Sequence, residues 1–405
     1  MLTEQQKTII RATVPALREH GVAIVMHFYR NLLEKNPALK SLFNATHQAR
    51  GQQQKALAAA VLAYAENIDK PEVLAGALKH IAVKHCTVGV RPEHYPIIGG
   101  QLLASIKTVL GDAATKEVIE AWAAAYQQLA DLLIQMEANL YAERSQTEGG
   151  WSGWRSFRVV ERKILSEDVV GLTLFPTDGG KVARYLPGQF VSVKTFVKSI
   201  GLEQPRQYSL TRASDDLNAT LSIAVKRMRG DETPDGVMSA HLHDEVKEGD
   251  VIELSAPMGN FTLDTKETQP LVFLAAGIGI TPILSMVDSL AVDNPTRPVT
   301  ILYSTTDGAH FPFEEDLRHI VSRMPNARLG VFFSKPRDTD EERKHYDVEG
   351  RINVLAQKDL AFVENADYYL CGPVDFMRDM RNQLIELGVI HSRIFSETFD
   401  TGSWD

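Results

Sequence analysis

The chain has 405 residues, with 43 Lys and Arg against 52 Asp and Glu, which gives a formal net charge of −9. It contains no block of basic residues, which excludes nucleic acid as an expected partner, and its two isolated cysteines exclude a disulfide framework and a CxxC metal site. The start of the chain lacks the apolar run of a signal peptide, and the most apolar segment, residues 271–284, is too short to cross a bilayer. We therefore expect a cytoplasmic protein of two or three domains with no stable membrane anchor.

Residues 1–143 are rich in Ala, Leu, Gln and Glu and predict an all-α domain. Interruptions between its helices are predicted near Gly21, Pro37, Pro71, Pro92 and Gly111. The stretch that follows is polar and contains glycine, and it predicts a linker over residues 144–154.

Residues 155–265 contain six short β-rich runs separated by Gly, Pro and Asp turns, which predict a small antiparallel β-barrel. In residues 266–405 the strands LVFLAA, VTILYST and ADYYLC alternate with helical patterns, which indicates an α/β domain built on a parallel sheet. The predicted fold is therefore multidomain, with an all-α domain, an antiparallel barrel and a parallel-sheet domain in that order.

Four polar side chains are predicted to face the interior of the helical domain. On a helical wheel His85 completes the apolar row of Leu74, Leu78 and Ile81. The other three are Tyr29 (with Val22, Val25 and Leu32), Gln53 (with Leu57, Ala60, Val61 and Tyr64) and Glu137 (with Tyr126, Ala130, Leu133 and Leu140). A carboxylate in such a row is costly unless it is paired, so the four residues together indicate a shared polar object.

A histidine without a Cys or carboxylate cluster at metal-ligand spacing indicates an axial ligand of haem. Tyr95 and Glu137 would then orient the imidazole of His85 through its other ring nitrogen. Each side chain alone also fits an ordinary role: Tyr29 as a core aromatic, Gln53 facing solvent at a helix start, and Glu137 reaching the surface near a helix end.

On these residues the domain over 1–143 resembles a bacterial globin. The resemblance implies haem b, with His85 as the proximal iron ligand and Tyr29 and Gln53 on the distal side. The remaining matches are Phe43, which packs on haem, Leu57, which fills the distal pocket, and the proximal polar set of Lys84, Tyr95 and Glu137.

Three motifs in the barrel region are typical of a flavin site: PGQF at 187–190, RQYS at 206–209 and GVMS at 236–239. A lone RQYS equally fits an ordinary strand, but the ordered set resembles ferredoxin-reductase-like flavoproteins. The resemblance implies that Arg206 pairs with the FAD pyrophosphate, that Tyr208 lies against the isoalloxazine and that Ser209 bonds near its N5 edge. The other residues implied at the FAD site are Gln207, Gly236, Ser239 and Phe190, the last of which replaces the usual tyrosine.

The parallel-sheet domain carries motifs of the same family for a nicotinamide dinucleotide. Gly277, Gly279, Thr281 and Pro282 lie in LAAGIGITP directly after a buried strand, where glycines admit pyrophosphate to the backbone. Cys371, Gly372 and Pro373 follow another strand, and the resemblance implies that the cysteine lies beside the nicotinamide. Glu397 and Phe399 in SETF match a C-terminal motif beside the flavin.

The whole chain thus resembles a flavohaemoglobin: a globin, an FAD-binding barrel and an NAD(P)-binding α/β domain. The resemblance implies a nitric oxide dioxygenase that is monomeric and acts on NO and O2, with a lipid as a further occupant of the distal pocket. Residues 305–307 follow a strand without an arginine for a 2′-phosphate, which favours NADH over NADPH. The alternatives are a lipid or alkyl hydroperoxide reductase, a redox-linked O2 or NO sensor and a plain ferric reductase.

Overall fold

The computed structural model describes residues 2–43, 51–214, 219–230 and 236–399, the side chain of Gln52 excepted. The helices of the N-terminal region are α1 (Glu4–Ala12), α2 (Val14–Lys35), α3 (Gln52–Glu66), α4 (Ala75–Val88), α5 (His94–Leu110) and α6 (Lys116–Gln146). Short 3₁₀ turns occupy Pro37–Leu42, Pro71–Leu74 and Gly111–Ala113. The long helix α2 packs against α3 and α5, and α4 packs against α6.

The interruption predicted at Gly21 is wrong, because α2 continues through this residue. Gly21 is buried, and a Cβ added there would lie 3.8 Å from the Cβ of Ala58 in α3. The glycine therefore serves close packing between two helices. The actual boundary lies at Thr13, whose hydroxyl donates to the carbonyl of Ile10 over 2.6 Å, and Pro15 stands in the first turn of α2.

The linker predicted over 144–154 is wrong at its start, because α6 extends to Gln146. The rest of the segment is held against the barrel. Trp151 is 9% exposed, lies in the barrel core and donates its indole N–H to the carbonyl of Leu254 over 3.1 Å. The ring of Trp154 lies under the ammonium of Lys194 at 4.9 Å. The helical region is therefore joined to the barrel by an anchored segment.

The second region is an antiparallel barrel, as the sequence predicts. Its strands are β1 (Arg155–Ser166), β2 (Val169–Pro176), β3 (Phe190–Val197), β4 (Leu202–Ser209), β5 (Leu221–Lys226) and β6 (Val251–Leu254), and one helix, α7 (Val237–Asp244), precedes β6. The strand order is β4-β3-β6-β1-β2-β5, and a bridge between Leu210 and Ile223 connects the two outer strands. This bridge closes the sheet on itself.

The third region is a parallel sheet of order β10-β9-β8-β7-β11-β12, again as predicted. Its elements are β7 (Leu271–Ala276), α8 (Ile280–Asp293), β8 (Val299–Thr305), α9 (Glu314–Ser322), β9 (Ala327–Phe333), β10 (Val348–Glu349), α10 (Lys358–Ala361), β11 (Asp367–Cys371), α11 (Val374–Glu386) and β12 (Ile394–Glu397). In β7, Leu271, Phe273 and Ala275 pack with α8, and Val272 and Leu274 pack with α11. The sheet is therefore buried on both faces, and its carboxyl edge is the expected place for a ligand.

No helix among the described residues combines the length and the apolar content needed to cross a bilayer.

Candidate active site

A histidine, a carboxylate and a phenol meet inside the helical domain. Nδ1 of His85 lies 2.8 Å from Oε1 of Glu137 and 3.0 Å from the hydroxyl oxygen of Tyr95. The Tyr95 hydroxyl donates to the same Glu137 oxygen over 2.5 Å. Glu137 is only 3% exposed, so its place on an apolar row is explained by these two partners.

Three helices position this triad. His85 lies in the last turn of α4, which is capped by Gly89 with a left-handed φ of +81°. Glu137 lies on α6. Tyr95 lies in the first turn of α5, and its backbone carbonyl accepts a hydrogen bond from the Tyr126 hydroxyl over 2.7 Å. Burial, followed by the bond to Glu137, raises the pKa of Tyr95, so its hydroxyl remains a donor.

With Nδ1 engaged, the other nitrogen of His85 is the one available to a metal. A carboxylate behind a ligating imidazole fixes its tautomer and raises its basicity. No group of three or more His, Cys, Asp or Glu side chains within the described ranges is arranged as a metal site. A single histidine with a carboxylate behind it fits a haem iron, to which the porphyrin contributes the in-plane nitrogens.

Tyr29, which the sequence predicts on the distal side, is 8% exposed and lies edge-on to two aromatic rings. The ring centroids of Phe28 and Phe43 are 5.0 and 5.4 Å from that of Tyr29. Leu57 packs against the same cluster, and Gln53 is half-buried in the first turn of α3. The structure therefore places Tyr29 against Phe43 and places Leu57 in the same hydrophobic cluster, while the distal role of these residues stays a prediction.

The predicted apolar row of Tyr29 is wrong at its first member, because Val22 is 46% exposed. Burial raises the pKa of Tyr29, which keeps its hydroxyl protonated. A cavity of about 560 Å³ borders Tyr29 on the side of Met26, Leu33 and Val109.

Arg206 in β4 is a largely buried cation. Its guanidinium donates to the carbonyl of Pro205 over 2.5 Å and to Oε1 of Gln204 over 3.1 Å. Burial lowers its pKa to about 10, which means that its charged form is destabilised where it lies. A pyrophosphate at this position would stabilise the cation by charge-assisted hydrogen bonds, so the residue fits its predicted FAD role.

The next residues of the RQYS motif face different surroundings. Gln207 donates its amide N–H to Oγ1 of Thr87 in the helical domain over 3.4 Å, so it lies at a domain contact. Tyr208 packs against the barrel core, and burial raises the pKa of its hydroxyl. Ser209 is buried at the end of β4 and pairs with Phe190 across the strand.

The GVMS motif forms a tight loop at the start of α7. The Ser239 hydroxyl donates to the carbonyl of Gly236 over 2.8 Å and accepts from the N–H of Met228 over 3.1 Å. A Cβ added at Gly236 would lie 2.6 Å from Oγ of Ser239. Glycine at position 236 therefore leaves space at the N-terminus of α7. The backbone N–H groups at a helix N-terminus favour an anion.

The two nucleotide motifs of the parallel sheet meet at its carboxyl edge. Gly277 has a left-handed φ of +54°, and a Cβ added at Gly279 would lie 2.2 Å from the carbonyl oxygen of Cys371. Gly372 also lies close to the neighbouring strand, since a Cβ added there would be 3.1 Å from the Cβ of Ala276. Neighbouring strands β7 and β11 thus bring the GIGITP and CGP loops into direct contact.

The residues around these loops are buried. Thr281 is 2% exposed and donates to the carbonyl of Ile278 over 2.9 Å, and Pro282 stands in the first turn of α8. Cys371 is fully buried, which raises the pKa of its thiol well above the usual range. Pro373 directly precedes α11.

Glu397 lies where the parallel sheet approaches the helical domain. It pairs with Cys371 in the register of β11 and β12, and burial raises its pKa to about 7. The charge of Lys84, the residue before His85, acts in the opposite direction and lowers this pKa. Phe399 is 46% exposed just beyond the strand. The histidine-bearing helix and the predicted nicotinamide edge therefore lie within electrostatic reach of each other.

One charged cluster was not foreseen from the sequence. The loop after β8 has no arginine of its own, but the fold brings the guanidinium of Arg337 to 3.1 Å from Asp307 and 2.7 Å from Glu167. Nδ1 of His310 also lies 2.7 Å from Oδ1 of Asp307. The local sequence contains no signal for this cluster, because Glu167 comes from the barrel and Arg337 from the loop after β9.

Family models match three successive parts of the chain. A globin model matches residues 26–133, an oxidoreductase FAD-binding domain matches residues 156–263, and an oxidoreductase NAD-binding domain matches residues 273–382. The flavohemoprotein of Bordetella pertussis is 46% identical over 402 residues, which cover 99% of each chain. The chain belongs to the flavohaemoprotein family.

Other flavohaemoproteins agree over the same length. The flavohemoprotein of Rhizobium meliloti is 46% identical over 400 residues, 98% of each chain. The crystal structure of the Malassezia yamatoensis flavohemoglobin with bound FAD and haem superposes with a TM-score of 0.86 at 31% identity, and covers 98% of this chain and 100% of that one. This flavohaemoprotein is therefore an electron-transfer oxidoreductase with haem-, FAD- and NAD(P)-binding domains.

Proposed function

We propose that the protein is a cytoplasmic nitric oxide dioxygenase, which converts NO and O2 to nitrate with electrons from NAD(P)H. The observation that carries the proposal is the buried Glu137–Tyr95 pair behind His85. When bound, FAD would accept hydride from NAD(P)H and haem would receive single electrons and bind the gases. A globin that only stores oxygen needs no attached electron supply, whereas an oxidation that turns over does.

On the proximal side, Glu137 holds the proton of His85 at Nδ1 and leaves the lone pair of Nε2 for iron. A hydrogen bond from the imidazole to a carboxylate makes the ring a stronger electron donor, which favours oxygen activation over reversible storage. Tyr95 donates to the same carboxylate oxygen and so fixes its orientation.

On the distal side, we assign to Tyr29 the role of hydrogen-bond donor to the O2 substrate. Its buried hydroxyl stays protonated because burial raises its pKa, so it can donate a hydrogen bond at neutral pH. Gln53 supplies a second polar group on this side, and Leu57 with Phe43 excludes water.

We also propose that the donor is NADH rather than NADPH. Asp307 follows β8, where a carboxylate can accept a hydrogen bond from the ribose 2′-hydroxyl and repels a 2′-phosphate. Arg337 forms an ion pair with this carboxylate, and its guanidinium is also engaged by Glu167.

The test is a count of products from haem- and FAD-loaded protein in air with NADH. We expect an NO-dependent burst of NADH oxidation, with about one nitrate per NO and about half an NADH per NO, since a hydride carries two electrons. NADH oxidation that ignores NO contradicts the proposal. Faster turnover with cumene hydroperoxide than with NO would instead identify a hydroperoxide reductase.

A further inference from the structure

An apolar seam joins the histidine-bearing helix to the flavin barrel. Its four side chains are Val83 and Cys86 of α4, Phe190 of β3 and Met258 after β6. Their exposed fractions are 5, 3, 9 and 3%, so water is excluded from the contact. Leu140 and Tyr141 of α6 pack against the same cluster.

Closely fitted contacts surround the apolar seam. Beside it, Gln207 of the barrel donates to Thr87, which is fully buried. At the end of α4, a Cβ added at Gly89 would lie 3.1 Å from Nε1 of Trp154. The last turn of α4, which contains His85, is therefore packed against the barrel on more than one side.

The residue at position 190 suits this apolar surrounding. Phe190 is fixed at its backbone by two hydrogen bonds with Met258, of 2.8 and 2.9 Å. A hydroxyl on this ring would add a polar group to a cluster of aliphatic and sulfur side chains, and a buried polar group without a partner is unfavourable.

We infer that the apolar seam fixes the haem site relative to the flavin site and that Phe190 is a positioning residue for electron transfer between them. Val83 and Cys86 lie within one turn of His85, while Phe190 pairs with Ser209 beside Tyr208. A shift at the seam therefore moves the iron ligand relative to the flavin platform.

The redox step concerned is complete with the cofactors already proposed. Each electron leaves the reduced flavin and reduces ferric haem iron to ferrous, and NADH resupplies the flavin as it is oxidised to NAD⁺. The inference rests on the route from FAD to haem in the proposed function. It does not depend on NO as the substrate.

The first test measures the two reductions separately in anaerobic stopped-flow experiments on the full-length, cofactor-loaded protein. In Phe190→Ala we expect the rate of haem reduction to fall by about tenfold or more relative to the rate at which NADH reduces the flavin, because misplacement of reacting centres is costly. Phe190→Leu, which keeps apolar volume, should recover most of the loss. Phe196→Ala is the matched control, since Phe196 lies on the same strand and is 52% exposed.

The second test follows the seam without any redox readout. Cys86 is only 3% exposed in the seam, so iodoacetamide should label its thiol slowly in the original protein. In Phe190→Ala we expect Cys86 to be labelled about tenfold faster, because the seam opens locally. Cys371, fully buried in the parallel sheet, is the internal control and should not change.

Unchanged haem reduction together with an unchanged Cys86 labelling rate overturns the inference. Equal slowing of flavin and haem reduction also overturns it, because Phe190 would then serve the flavin site alone. If Phe190→Ala does not fold, Met258→Ala and Val83→Ala open the same seam from its two sides and give the same comparison. Since haem reduction is measured without NO, failure of this inference is distinct from failure of the dioxygenase proposal.

Discussion

The hydroxyl of Tyr95 donates to Oε1 of Glu137 over 2.5 Å, and the same oxygen lies 2.8 Å from Nδ1 of His85. Two donors thus converge on one buried carboxylate oxygen. This convergence keeps an anion stable inside an apolar helix bundle, and it places that anion behind the histidine we assign to the iron.

Replacement of that carboxylate should weaken the proximal ligand. In Glu137→Gln we expect NO turnover to fall by roughly ten- to a hundredfold, as is usual when a partner of a ligating histidine is removed. The haem reduction potential should rise at the same time, because a less basic imidazole stabilises ferric iron less. Spectroelectrochemical titration measures the potential. Glu143→Gln, at an exposed position of the same helix, is the control and should change neither value.

Glu397 should make stability depend on pH in the sense opposite to most carboxylates. Its pKa is raised from 4.5 to about 7 in the folded chain, so the folded state retains a proton that the unfolded state has lost between these values. Stability should therefore fall as pH rises from about 4.5 to 7, by at most about 3 kcal/mol, and be level above that.

Urea unfolding of the apoprotein at a series of pH values measures this effect. We expect Glu397→Gln to remove the decline, because the amide does not titrate. Glu386→Gln, at an exposed position of α11, serves as the control, and its stability should still fall as pH rises. A decline of the same size in both variants would mean that another group causes it.

Gly279 should not tolerate a side chain. In Gly279→Ala the new Cβ meets the backbone of Cys371 and Gly372, which cannot move aside as a side chain would. We expect destabilisation of about 1–3 kcal/mol and strongly slowed flavin reduction by NADH. Gly100→Ala is the matched control, because, outside its own turn of α5, none of the described residues has an atom within 4 Å of its Cβ position. That substitution should be neutral or slightly stabilising in thermal unfolding.

The choice between the two nicotinamide nucleotides should respond to Asp307. In Asp307→Ser we expect the ratio of kcat/KM for NADPH to that for NADH to rise by about tenfold, because a repulsive carboxylate is lost and Arg337 is released toward a 2′-phosphate. Steady-state kinetics with both nucleotides measures the ratio. Asp338→Ser removes an equal charge from an exposed position of the same loop as Arg337 and should leave the ratio unchanged.

The proximal half of the site could be predicted because helical periodicity shows when a charged residue falls on an otherwise apolar row. Glu137 falls on an apolar row, a buried carboxylate needs partners, and His85 and Tyr95 are those partners. The same method misplaces Val22 on the row of Tyr29. Val22 is 46% exposed and Val25, one turn later, is 2% exposed, so burial here depends on which elements pack beside α2 and not on the periodicity of this helix alone.

The features that the sequence could not predict depend on contacts between distant segments. Gly21 alone predicts a helix break, and only the structure shows that Ala58 packs against it. The sequence around Trp151 predicts a linker, and only the structure shows that its indole lies in the barrel core. Arg337 approaches Asp307 only because β8 and β9 are parallel neighbours, which brings the loops at their carboxyl ends together.

The most direct test of the central claim is the origin of the oxygen atoms in nitrate. Protein loaded with haem and FAD is given NADH, unlabelled NO and dioxygen labelled with oxygen-18, and the nitrate is analysed by mass spectrometry. A dioxygenase transfers both atoms of O2, so we predict nitrate that carries two labelled oxygens. Nitrate with one labelled atom or none, or NADH oxidation without nitrate, would contradict the account.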